Sequence, residues 1–412
     1  MSYSNKQFLQ EITKKINEEL MSSKFLYDKK EYCVENYDNA YVLPSKKNKD
    51  GNPWCYGGVV DENKQFIKLS GQYAYGENDR VRDGYDFDEE DVEYIDEDVL
   101  YLNYFIPQWG HYLLDVIGRL WYILKDSNKK IVYSCRLNED FRIKGNLLQL
   151  LEMLGINKDR IIFLNKVTKF KSITIADTSI CVSKYYTKEY KNLIDKLVNV
   201  ALKDYKLKTE RKIFCSRKHF KSIKNKEFGE ELIEDVFKDN GYEIIYMEEH
   251  NLIDQIRLLN ECKEVVCVSG TLVHNAMFIR NNKCKFTIIN KTYKVNPIVY
   301  LTNEISNAEF TFVDAYLSPL EISIGKGPFL LAITDEFIEY CKYKNLQINN
   351  IDRKISLKIL IQYYYKYLRQ YKNKIIHGQK ISNSGLKQYD LPKSVIRKTY
   401  LKNIGKIGIK IL

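Results

Sequence analysis

The chain predicts an α/β fold with two Rossmann-like halves, and three observations carry that expectation. From residue 99 to about residue 313, short apolar runs alternate with stretches of helical period. The alternation falls into two sets, and one long amphipathic stretch, 184–206, stands between them. Strand, helix, strand at this cadence means parallel sheets covered on both faces. Two such sets around a connector place two Rossmann-like domains facing each other across a cleft. Ligands are then expected outside the carboxyl ends of the strands.

Taken in order, residues 1–98 read as an irregular region packing on the first domain. An amphipathic start (8–26) precedes turn-rich chain with Pro44, Gly51, Pro53, Gly57 and Gly58. An acidic run then extends from Asp83 to Asp98. Within it Asp86 and Asp88 have the spacing of a metal-binding pair, but no flanking strand positions them. A surface loop without metal is expected. The first domain, 99–206, predicts strands at 99–105, 131–134, 160–164 and 172–176, helices at 109–124 and 147–154, and the connector helix. The second, 207–329, predicts strands at 212–216, 242–247, 264–268, 286–289 and 310–313, with helices at 228–239, 252–262 and 272–279. Residues 330–412 turn helical (333–344, 357–371) and end in a basic tail. Lys393, Arg397, Lys398, Lys402, Lys406 and Lys410 alternate there with Ile and Leu, and no acid follows Asp390.

Composition narrows the function classes. At 412 residues with 44% hydrophobic content the chain can bury a large core. Its formal charge of +11 comes from dispersed Lys, with no Arg-rich arm or aromatic-basic motif, so nucleic acid is not an expected partner. An anionic ligand, or an anionic membrane surface met by the tail, suits the charge better. Nine scattered cysteines without a C-x-x-C pair predict buried, reduced thiols and a cytoplasmic setting. The charged first twenty residues do not read as a signal peptide, and no apolar run is long enough to span a bilayer.

Three stretches carry chemistry. In Trp109-Gly110-His111-Tyr112-Leu113-Leu114-Asp115, continuing to Arg119, helical spacing stacks His111, Asp115 and Arg119 on one face. An imidazole at a helix start with a carboxylate one turn away is an acid/base arrangement, and either His111 or Asp115 can be the base. The apolar strand Ile213-Phe214-Cys215 ends in Ser216-Arg217, a hydroxyl and a guanidinium fork suited to phosphate oxygens. The strand Val265-Val266-Cys267-Val268 runs through Ser269-Gly270-Thr271 into a helix, whose free N–H groups make an anion site. His274 and Asn275 in its first turn are expected to reach the same pocket. Glu248 and Glu249, just past a strand, are placed to accept from ribose hydroxyls.

These motifs, in this order, resemble the family 61 glycosyltransferases, known in bacteria for capsular-polysaccharide biosynthesis. Trp109-Gly110-His111-Tyr112-Leu113-Leu114-Asp115 with Arg119-Leu120 is similar to the family's G-H-F-L-x-D…R-L signature. Phe214-Cys215-Ser216-Arg217, Gly241-Tyr242-Glu243-Ile244-Ile245, Gln255-Ile256 and Val268 to Phe278 follow its later blocks. The family's His-Gly-Ala reads Ser269-Gly270-Thr271 here, with His274 one turn on. The resemblance implies a GT-B architecture, the acceptor mainly on the first domain and a nucleotide-sugar donor, UDP-linked by preference, on the second. It implies inverting transfer with no required metal cofactor. Together with the residues it leads to these expectations: His111 as base, Asp115 as its orienting partner, Arg217, Ser216 and the Ser269-Gly270-Thr271 turn as diphosphate binders, and His274, Asn275 and Glu248 as further donor contacts. The acceptor expected is a glycan or lipid-linked glycan, at the inner face of the plasma membrane. Two rivals stay open: a phosphotransferase using a CDP-linked donor, and a non-catalytic glycan-assembly scaffold.

Overall fold

A computed structural model describes residues 26–28, 31–46, 55–72, 80–125, 128–182, 185–208, 210–220, 227–292, 296, 298–317, 327–348, 355–363 and 365–366. The basic tail, residues 8–25 of the amphipathic start, and residues 364 and 367–371 of the expected 357–371 helix lie outside them.

The second half has the expected form. Its five strands are all parallel, in the spatial order Glu243–Ile245, Arg211–Cys215, Cys262–Val268, Lys285–Asn290, Glu309–Asp314. Numbered along the chain, that order is 2-1-3-4-5. Period-two alternation sorts its residues onto two buried layers. Ile213, Cys215, Val265, Cys267, Phe286 and Ile288 join Leu258, Leu259 and Val299 from the helices Leu252–Glu261 and Ile298–Ile305. On the other layer Phe214, Val266, Val268, Ile289 and Val313 meet Ile233, Phe237, Phe337 and Tyr340 from the helices Glu230–Asp239 and Asp335–Tyr343.

The first half corrects two expectations. Its eight-stranded sheet is mixed, not parallel. Glu93–Tyr104, Lys130–Ser134, Ile161–Leu164 and Thr168–Ala176 pair in parallel, as expected for a Rossmann-like core. Antiparallel strands Val34–Asp38 and Tyr41–Lys46 add to Thr168–Ala176, and Cys55–Val60 and Val81–Asp83 follow outward. The region before residue 99 is therefore not irregular where it is described. Pro44 inside Tyr41–Lys46, and Gly57 and Gly58 inside Cys55–Val60, are the breakers that hid those two strands. Helices do not cover both faces either. Leu100, Leu102, Ile131 and Tyr133 face helical neighbours such as Leu150 and Leu193. Val99, Tyr101, Val132, Ile173 and Ile175 are buried instead by Val42, Val59 and Ile67 from the added strands and loops.

The connector helix is shorter than expected, Lys188–Leu202, because Thr187 caps it by accepting the Tyr190 N–H. Tyr185–Thr187 is a strand, paired with Ile180–Cys181 and Leu26–Asp28. The two halves share a core: Leu252, Ile256, Met277, Phe278, Leu301 and Ile305 pack in one cluster with Tyr112, Leu113, Tyr190 and Leu197. Among the described residues no helix is long and apolar enough to cross a membrane. Cys135, Cys215, Cys262, Cys267, Cys284 and Cys341 are buried free thiols.

Candidate active site

The stretch 109–125 is helical but not one regular helix. An α turn, Trp109–His111, passes into a π turn, Tyr112–Val116, and then into 3-10 turns Ile117–Arg119 and Ile123–Lys125. These changes of pitch split the expected stripe of three polar residues. His111 and Asp115 do meet, with Nδ1 and Oδ2 2.7 Å apart. Asp115 is enclosed, its side chain 3% exposed, whereas that of His111 is 31% exposed. Arg119 turns into the sheet. It donates to the carbonyls of Ala176 (2.8 Å), Leu102 (2.8 Å), Leu69 (2.5 Å) and Gly71 (2.9 Å), and to the Asn103 side chain. It thus anchors the irregular segment to the strands beneath it. Arg80 comes in from the preceding loop, its Nη2 3.5 Å from His111 Nδ1 and its Nε 4.0 Å from Asp115 Oδ2. A carboxylate is acceptor-only, so in the His111–Asp115 bond Nδ1 is the donor, the tautomer that in a neutral ring keeps the lone pair on Nε2.

In the second sheet the strands Arg211–Cys215 and Cys262–Val268 are neighbours, and chain order reverses between them. Connections leave to opposite sides there, and it is at such a switch point that α/β sheets bind ligands beyond the carboxyl ends of the strands. Ser216-Arg217 and Ser269-Gly270-Thr271 follow those two strands directly. Arg217 Nη1 donates to the Ser269 carbonyl (3.2 Å) and to Glu227 (2.8 Å). Its guanidinium lies on Gly270, where an added Cβ would come within 2.5 Å of Nη1. A side chain at this position would push the guanidinium off the turn. Ser216 is buried, and its hydroxyl accepts the Lys218 N–H (3.4 Å). Glu230 accepts the Arg217 N–H (2.7 Å), and burial raises its carboxyl to about 7. Its contribution to stability is therefore full below the ordinary carboxylate range and is lost as pH rises through about 7. Lys291, just past the next strand, is buried against Glu227 (2.5 Å), and burial lowers its pKa. Glu248 is exposed in the turn Met247–Glu249, and Glu249 is bonded to His219, which stacks on Tyr246 at 3.7 Å.

The two constellations meet. An added Cβ on Gly110 would lie 3.1 Å from the Thr271 methyl and 3.2 Å from the His274 ring. Beside this contact the Trp109 indole donates to Asn275 (2.6 Å), Asn275 donates to Gln255 (2.8 Å), and Gln255 donates to the Met247 and His250 carbonyls. Arg217, Gly270, Thr271, Gly110 and His111 thus form a continuous line across the junction. The helix that Thr271 opens is a 3-10 helix, Thr271–Phe278, rather than the expected α-helix, but its first N–H groups still lack partners within it. His274 and Asn275, expected to reach the pocket, point inward and are 4% and 2% exposed. Burial first, and the nearby His111 second, lower the His274 pKa to about 4, so this imidazole is neutral.

Sequence reasoning missed Arg80, Glu227 and Lys291. Lys291 had a readable signal, a cation directly after the apolar run Phe286-Thr287-Ile288-Ile289, the same pattern that singled out Arg217. Arg80 and Glu227 had none, since each lies in a stretch of mixed charge. Asp86 and Asp88 are exposed, and among the described residues no three His, Cys, Asp or Glu side chains gather as a metal site. No curated protein matches the chain. A family model does: residues 109–286, the stretch that holds both constellations, match Glycosyltransferase 61, which supports a family 61 glycosyltransferase domain there.

Proposed function

We propose that the protein is an inverting glycosyltransferase that moves a sugar from a nucleotide donor, UDP-linked by preference, to a surface-glycan acceptor. One observation carries this reading: a hydrogen-bonded His–Asp pair and a cationic strand-end crevice, remote in sequence, adjoin through Gly110 and Thr271. Inversion needs in-line attack by an acceptor hydroxyl, a base to take its proton, and fixed positive groups to receive the diphosphate charge. His111 Nε2 takes the proton, and Asp115 holds the imidazolium that results. Asp115 is too enclosed to meet an acceptor hydroxyl itself, which favours His111 as the base. Arg217 and the N–H groups at the Thr271 helix start receive the diphosphate, without a required metal. Asn275 holds Trp109 to the second half and is assigned a structural role.

In this reading the first sheet bears the acceptor and the second the donor, a GT-B arrangement. The enzyme works in the cytoplasm, where the basic tail holds it to anionic lipid beside a lipid-linked acceptor. A panel of nucleotide sugars tests the donor claim, since a bound donor raises the melting temperature by mass action. Stabilisation by UDP-sugars supports it, and indifference to the whole panel refutes it. For the tail, the full chain should sediment with anionic vesicles at low salt, and a chain lacking residues 391–412 should not. Equal sedimentation of the two would remove the tail from membrane binding.

A further inference from the structure

Glu227 has no part in the chemistry above, yet it touches the residue assigned to the diphosphate. It opens the short strand Glu227–Phe228, paired with Phe329–Leu330. A single oxygen, Oε1, receives Arg217 Nη1 at 2.8 Å and Lys291 Nζ at 2.5 Å. The other oxygen is buried and has no hydrogen-bond partner among the described residues. The Glu227 and Lys291 side chains are 2% and 5% exposed, while that of Arg217 is 13% exposed. Two cations on one carboxylate leave a net charge of one positive in this triad. Two donors converging on one anionic oxygen is also the geometry a phosphoryl oxygen asks for.

We propose that Glu227 is a positioning residue that stands in for the diphosphate. Before the donor arrives it holds Arg217 on the Gly270 turn. When the donor binds, Arg217 turns N–H groups from Glu227 to the diphosphate, and Lys291 keeps the released carboxylate matched. Glu227 therefore competes with the ligand, weakening donor binding and easing release of the nucleotide product. This rests on the reading of the switch-point crevice as the diphosphate site. A purely structural ion pair makes the opposite prediction, since breaking it disorders Arg217 and lowers affinity.

Titration calorimetry with inorganic pyrophosphate and with UDP separates these cases, using wild type, Glu227→Gln and the double variant Glu227→Gln/Lys291→Met. Glu227→Gln should bind both ligands about tenfold more tightly, as expected when a competing charge-assisted bond is removed. The double variant keeps the triad's net charge at one positive, so a gain there comes from freeing Arg217 and not from added charge. It also decides the matter if Glu227→Gln does not fold. Equal or weaker binding of pyrophosphate by the variants overturns the proposal. If no form binds UDP while the variants gain for pyrophosphate, the stand-in role holds and the nucleotide-donor reading falls. If wild type binds UDP and neither variant gains, the donor reading holds and the stand-in role falls.

Discussion

In the second sheet every strand runs the same way and helices cover both faces, whereas the first sheet mixes directions and closes one face with its own added strands. The difference decides how each half presents chemistry. A parallel sheet in the order 2-1-3-4-5 has a switch point by topology alone, and Ser216, Arg217 and the Gly270 turn follow the two strands that flank it. The first sheet carries the His111–Asp115 pair instead on a segment of changing pitch, which Arg119 ties to four carbonyls and to Asn103. One half gets its candidate site from fold topology, the other from one buried cation and a π turn.

Four substitutions test this contrast, from the largest effect down. His111→Ala should lower turnover by about two to four orders of magnitude, the range for losing a general base, with donor affinity unchanged. Near-normal turnover at saturating acceptor would take His111 out of the mechanism. Arg119→Ala should destabilise the protein by roughly 3–5 kcal/mol, because several buried carbonyls lose a charged donor at once. A denaturation midpoint close to wild type would show that the segment holds its pitch without the anchor. Arg217→Ala should weaken UDP binding by about 1.5–3 kcal/mol, the worth of a charged hydrogen-bonded contact, with little loss of stability. Equal calorimetric affinity for UDP, CDP and GDP would remove it from the anion site.

The smallest effect concerns pH. The buried His274 has its pKa lowered to about 4. Its neutral burial contributes stability that is present above its ordinary pKa of about 6.5 and lost as pH falls toward 4. His274→Asn should flatten that limb of the melting-temperature profile. An unchanged slope between pH 6.5 and 4 would mean that the imidazole reaches water.

The second half was legible because its strands are buried on both faces and so appear as continuous apolar runs, each ending at a turn residue. Ser216-Arg217 and Ser269-Gly270-Thr271 could be located from those ends before any geometry was known. Two of the early strands, Tyr41–Lys46 and Cys55–Val60, were hidden by Pro44 and by Gly57 and Gly58. The Arg119 anchor was misplaced because 3.6-residue spacing assumes a regular helix, and a π turn breaks that phase. His274 and Asn275 lay at the right place in the chain, but sequence position does not fix which way a side chain turns from a 3-10 helix. The inward turn is set by Gly110 and Trp109, more than 160 residues away.

The central claim is that the His111–Asp115 pair and the Arg217 crevice belong to one site. The chain has five histidines, so ring-nitrogen NMR of protein labelled in its imidazoles can follow His111 directly, assigned by its loss in His111→Ala. Adding UDP should shift the His111 resonances, and the shift should fade in Arg217→Ala at the same UDP concentration. UDP binding that leaves the His111 signals unmoved would contradict the account and show two separate sites.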